Sequence, residues 1–153
     1  HKWTKPYFLT EELDTWDNKK VNRTTEMVST SFMQEGLAIA VDDIVFNRKL
    51  AEEGEAKLID DWCREQIDQM PHLSDCINAD GFDSFENKIV VPFTASFSKF
   101  LLQQFGVKKY KAMYTKLKET FSSQENMQIV EGVYQSKEEE LLKNWRGFLR
   151  LPQ

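Results

Sequence analysis

Prolines stand only at positions 6, 71, 92 and 152, and glycines only at 36, 54, 81, 106, 132 and 147. A chain so short of breakers favours long helices over a many-stranded sheet, whose turns consume both residue types. The apolar residues agree. Phe97, Phe100, Leu101 and Phe105 recur at three-and-four spacing, as do Val107, Tyr110, Met113, Tyr114, Leu117 and Phe121. Such spacing puts them on one helix face. The expected fold class is therefore all-α: a single helical domain over residues 1–153, with about five to six helices.

Within it, residues 1–23 read as an irregular lead-in. Pro6 blocks a helix there, although Thr10 could open a short one. The helical region is 24–149. Its first long helix covers 22–50, with Val28, Phe32, Ile39, Ile44, Val45 and Phe46 on a broad buried face. A second covers 52–70 through Leu58, Trp62, Ile67 and Met70, and Pro71 ends it. Residues 71–88 read as loop, with Asp80-Gly81 as a turn signal. Residues 88–93, "KIVVPF", read as a short extended segment. The helix after it reaches Gly106, which suits a left-handed C-terminal cap. Residues 122–128 form a polar break. The last helix opens on Ser136 and Glu139, a capping-box pair, and carries Leu141, Leu142, Trp145, Phe148 and Leu149.

Composition narrows the function. Hydrophobic residues make up 41% of the chain and charged residues 29%, a balance typical of a packed globular domain. Twenty basic residues meet twenty-five acidic ones, for a net charge of -5. That balance argues against a nucleic-acid partner. The lysines of "GVKKYKAMYTKLK" read as a solvated helix face, as do the carboxylate pairs Asp42-Asp43 and Asp60-Asp61. No apolar run approaches the ~20 residues of a membrane span. Cys63 and Cys76 lack the spacing of zinc ligands. A disulfide and two buried thiols are both open readings. The disulfide reading gives a lean toward an extracytoplasmic location.

One short stretch stands out. In "SFMQEGLAIA" (residues 31–40) Glu35 and Gly36 interrupt an otherwise apolar turn. A buried carboxylate is costly unless it is paired, hydrogen-bonded or bound to a metal. The expectation is that Glu35 points inward, toward such a partner. A headgroup that reaches solvent or a neighbouring arginine is the plainer alternative.

Gln34-Glu35-Gly36-Leu37-Ala38, then Ser96-Phe97 with Phe100, Leu101 and Gly106, then Ser136, Leu141, Trp145 and Leu149 follow one another in a particular order. In that order and spacing the chain resembles the C-terminal helical half of a gluzincin-type, aminopeptidase-like zinc metallopeptidase, over residues 28–149. The resemblance implies that Glu35 is the third zinc ligand. It also implies a hydrolase acting on a peptide or protein substrate. The two zinc-binding histidines and the general base of that family lie in an H-E-x-x-H helix. This chain has only His1 and His72, and neither has a histidine four residues away. In His1-Lys2-Trp3-Thr4-Lys5, lysines occupy the places of the general base and the second histidine, and a protonated lysine cannot ligate zinc. At the position where relatives carry an oxyanion-stabilising tyrosine stands Val91. The chain is thus expected to be inactive alone and to bind no zinc by itself. Zinc would belong to an intact parent protein whose upstream catalytic half is its partner. The alternative is a non-catalytic helical module that binds a protein or peptide, through a groove or through an aromatic surface near Trp62, Phe82 and Phe85.

Overall fold

A computed structural model describes residues 29–150, and they are mostly helical. In chain order the elements are α1 (Ser31–Phe46), β1 (Lys49–Glu52), β2 (Glu55–Leu58), α2 (Ile59–Glu65), a 3-10 turn (Ile67–Gln69), α3 (Leu73–Cys76), α4 (Ala79–Ser84), α5 (Asn87–Phe105), α6 (Val107–Lys116), α7 (Ser123–Tyr134) and α8 (Glu138–Phe148). The all-α expectation holds, with eight α-helices among the described residues rather than five to six. The readings placed on residues 1–28, including the lead-in over 1–23, the start of the first long helix and Val28, lie outside the described residues.

The centre is α5, which is buried along most of its length from Ile89 to Leu102. Helix α1 packs along it, α2 and α8 cover other sides, and Trp145 of α8 closes the core. The Trp145 ring meets Phe93 with centroids 5.1 Å apart and Phe97 at 6.3 Å, both edge-on. Phe32 of α1 meets Phe93 at 5.7 Å and Phe82 at 6.0 Å. Edge-to-face pairs of this kind add attraction beyond the area they bury.

Several local expectations are corrected. Residues 88–93 are not extended; they are the first turns of α5, with Pro92 inside the helix. Proline removes the N–H that would bond the carbonyl four residues back. That carbonyl belongs to Lys88, and the Gln66 side-chain amide donates to it at 2.7 Å. The helix survives because a side chain from the preceding segment supplies the missing donor.

Residues 49–58, read as the end of one helix and the start of the next, form an antiparallel hairpin. Asn47 ends α1 in a left-handed conformation (φ 51°). Glu53 and Gly54 then take φ 51° and 81° between the paired Glu52 and Glu55. Two consecutive positive φ values make the two-residue turn whose twist suits a hairpin.

Residues 71–88 are not loop but contain α3 and α4. Gly81 is inside α4, where a Cβ would lie 1.9 Å from the Asp75 carbonyl oxygen, so the two short helices can meet only at a glycine. The polar segment at 122–128 opens α7: Ser122 and Glu125 form a reciprocal capping box. Ser136 does not cap α8; the cap is Lys137, and the Glu131 carboxylate accepts from the Glu138 N–H at 2.8 Å. Gly106 ends α5 with a positive φ of 92°, but its ψ of 165° is extended, so it is not the left-handed helical cap expected of it.

Carboxylates from distant segments hold several helix starts. Glu119 accepts from the Ser31 N–H at 2.6 Å and from the Ala79 N–H at 2.9 Å, so one side chain caps both α1 and α4. Glu138 accepts from the Ser74 N–H at 2.9 Å, at the start of α3. The first N–H groups of a helix lack intrahelical partners and favour such an anion.

Candidate functional site

Glu35 and Gly36 lie on different sides of α1. Neighbouring helix positions diverge by about 100°. Gly36 is buried against α5, and Glu35 is exposed. A Cβ on residue 36 would lie 2.5 Å from both the Ser98 and Thr94 hydroxyl oxygens and 2.6 Å from the Thr94 carbonyl oxygen. Only hydrogen fits there. The same crossing is tied by hydroxyls: Thr94 donates to the Phe32 carbonyl, and Tyr110 donates to Ser98 at 3.0 Å. The inward orientation expected for Glu35 is therefore corrected. The glycine is what the packing demands, and the carboxylate rides on the open face.

That open face carries Glu35 and Ala38, with Ile39 and Asp42 partly covered, and ends at Phe46, which is 38% exposed. Among the described residues the Glu35 carboxylate has neither an ion pair nor a hydrogen bond. Glu52 on β1 has a pKa raised first by partial burial and then by the charges of Glu53 and Glu35. Carboxylates near one another favour a cation or a proton between them, and Glu53 already has the Lys88 ammonium at 3.3 Å. The described residues nevertheless hold no cluster of three or more His, Cys, Asp or Glu side chains that could bind a metal. They do not by themselves fit zinc; Glu35 offers one ligand at most.

The strongest buried electrostatics lie elsewhere. Lys99 on α5 donates to Asp60 at 2.6 Å and to Asp43 at 3.0 Å. Asp60 accepts from the Ser96 hydroxyl at 2.7 Å, and Ser96 accepts from the Trp145 indole N–H at 2.9 Å. This chain of bonds joins α1, α2, α5 and α8. The paired aspartates are thus not both solvated: Asp43 and Asp60 turn inward to Lys99, while Asp42 and Asp61 turn outward to Arg48 and Arg64. Burial raises the Asp43 pKa, against the opposing hydrogen bond and charge of Lys99, and its Oδ1 is buried without a partner. Burial works against the Lys99 ammonium, but the Asp60 and Asp43 carboxylates outweigh it and keep its pKa above the ordinary value. A lysine held in that way is neither a base nor a nucleophile. Sequence spacing gave no sign of it, because Lys99 is a lone cation in an apolar run.

The other candidate positions are accounted for. Val91 is in the core, as are Tyr110 and Tyr114, and the Tyr134 hydroxyl is buried. Residues 1–5 and Tyr7 lie outside the described residues. His72 is exposed at the corner before α3. Cys63 and Cys76 are free and buried, with burial as the main cause raising both thiol pKa values. They are poor nucleophiles, and the disulfide behind the extracytoplasmic lean is not formed. Trp62 is buried, its N–H donating to the Leu50 carbonyl at 2.8 Å, and Phe82 packs on Phe32. Two of the three rings expected to make an aromatic binding surface therefore serve the interior. No helix among the described residues is long and apolar enough to cross a membrane.

Compared with family models, with curated proteins and with solved structures, the chain matches none.

Proposed function

We propose that this chain is the helical C-terminal portion of a zinc-metallopeptidase-like protein. In this reading it contributes Glu35 as the third metal ligand together with part of the substrate cleft, and it is not catalytically competent alone. The observation that carries the reading is the state of Glu35: an exposed carboxylate with no ion pair or hydrogen bond among the described residues, next to the glycine at which its helix packs against the core. A ligand is useful when its backbone is fixed, and the α1–α5 crossing fixes this one. Glu35 offers an oxygen donor of the kind zinc accepts. Ala38 and Ile39, a turn further along, leave apolar surface beside it for the segment that brings the remaining ligands. Zinc bound in such a shared site would polarise a peptide carbonyl and acidify a water. In this chain, Glu35 holds its side of the site and Gly36 keeps the helix from rotating.

The test is metal content. The 153-residue chain, dialysed against zinc and then against buffer, is expected to retain none and to show no peptidase activity. Extended upstream through an H-E-x-x-H helix, it is expected to retain equimolar zinc and to lose most of it on Glu35→Ala. Equimolar zinc in the extended Glu35→Ala protein, or in the short chain, would refute the assignment.

A further inference from the structure

The Met70–His72 corner and α8 flank an open hollow of about 450 Å³. Its floor is apolar: half-buried Met70 and Leu142 with buried Trp145 behind them. The rim is charged. Lys143 and Arg146 stand three residues apart on α8, on the same helix face. Glu139, one turn earlier, is the acid on that face.

Lys143 and Arg146 have no carboxylate partner among the described residues, as is true of the exposed Lys49, Lys108, Lys109 and Lys116; these two differ in standing beside an apolar hollow. Glu139 lies at four-residue spacing from Lys143. In a chain of net charge -5, two unmatched cations over an apolar floor form a local positive rim. A hollow of this volume is within the range that small ligands occupy, and such sites are mostly apolar with a few orienting polar groups. Arginine adds a planar fork that matches a carboxylate with two hydrogen bonds.

We propose that this hollow is a binding site for a small organic carboxylate with a compact apolar body. The body lies on Met70, Leu142 and Trp145, and the carboxylate meets Arg146 and Lys143. The proposal is independent of the metal-ligand reading of Glu35. Charge complementarity selects an anion, and the apolar floor selects against a bare one such as acetate.

The test uses the 153-residue chain and three probes in NMR titrations at low ionic strength: 4-phenylbutyrate, its neutral amide, and acetate. The expected result is that 4-phenylbutyrate shifts amide signals clustered at residues 70–72 and 139–146. It should bind about tenfold more tightly than the amide, the order of one charge-assisted contact, with acetate weaker still. Lys143→Gln/Arg146→Gln, at exposed positions, should keep the native spectrum and lose that tenfold advantage. Equal affinity for the amide, an unaltered advantage in the double variant, shifts centred elsewhere, or no shifts at millimolar probe would each overturn the site.

Discussion

Replacing Gly36 by alanine gives a prediction whose sign alone is informative. In an exposed helix interior, Gly→Ala stabilises by about 1 kcal/mol, because alanine restricts the unfolded chain and favours the helix. At position 36 the added methyl would sit 2.5 Å from two hydroxyl oxygens and 2.6 Å from the Thr94 carbonyl oxygen. The hydroxyls could rotate, at the cost of their bonds to the Phe32 carbonyl and to Tyr110. The carbonyl is backbone and cannot, so α1 and α5 must separate. Overpacking of that kind costs about 3 kcal/mol, the upper part of its usual range. Set against the propensity gain, the net loss is about 2 kcal/mol, or roughly 4–8 °C in Tm for a domain of this size. Gly132 is the control: it is exposed on α7 with nothing within 4 Å of a built Cβ, so Gly132→Ala should stabilise by about 0.5–1 kcal/mol. Urea unfolding of both variants, followed by circular dichroism, reads both signs. A neutral or stabilised Gly36→Ala would refute the close crossing, and with it the reason for Glu35's outward position.

Three further outcomes follow from the packing. Gln66→Ala should cost about 1–2 kcal/mol by leaving the Lys88 carbonyl without its donor, and the cost should shrink in a Pro92→Ala background, where the helix can supply an N–H; an undiminished cost in that cycle would contradict the rescue. Lys99→Met should cost about 3–5 kcal/mol near neutral pH by leaving Asp43 and Asp60 buried without a cation. Because the Asp43 pKa is already raised in the fold, the folded state holds that proton more tightly than the unfolded chain. The penalty is therefore full above the folded pKa and relieved as pH falls through it, so the deficit of Lys99→Met should narrow in mildly acidic buffer; a deficit that widened with acid would contradict the sign. Glu119→Ala should cost about 1–2 kcal/mol by removing the acceptor of the first N–H groups of both α1 and α4, while Thr30 still caps α1 through the Met33 N–H, measured as the fall in urea midpoint.

What the sequence made legible was whatever repeated. The three-and-four spacing from Phe97 to Tyr114 marks α5 and α6, because many side chains report the same face; it overruns at Leu117 and Phe121, which lie past the end of α6 at an extended residue and a turn. Single residues with tertiary partners were opaque. Pro92 signals a break, and only Gln66, distant in sequence, cancels it. Gly54 signals a weak helix, and only the positive φ of Glu53 beside it makes a hairpin. Asp42-Asp43 and Asp60-Asp61 look alike in sequence, yet one member of each pair reaches Lys99 and the other does not. Glu35-Gly36 carried the same ambiguity: the pattern flagged an anomaly, but the residue that packs inward is the glycine. Nothing in the sequence around Lys143 and Arg146 signals the hollow they line, because its other wall, the Met70–His72 corner, is about seventy residues away.

The most direct measurement of the central claim is the reactivity of a thiol in place of Glu35. Cys63 and Cys76 are buried, with raised thiol pKa values, so the native chain should show no fast reaction with a disulfide reagent such as Ellman's. Glu35→Cys should add a single fast thiol, modified at the rate of a free cysteine while the chain stays folded. A residue-35 thiol as slow as Cys63 and Cys76 would mean that this position is enclosed, and the open ligand on which the functional proposal rests would not exist.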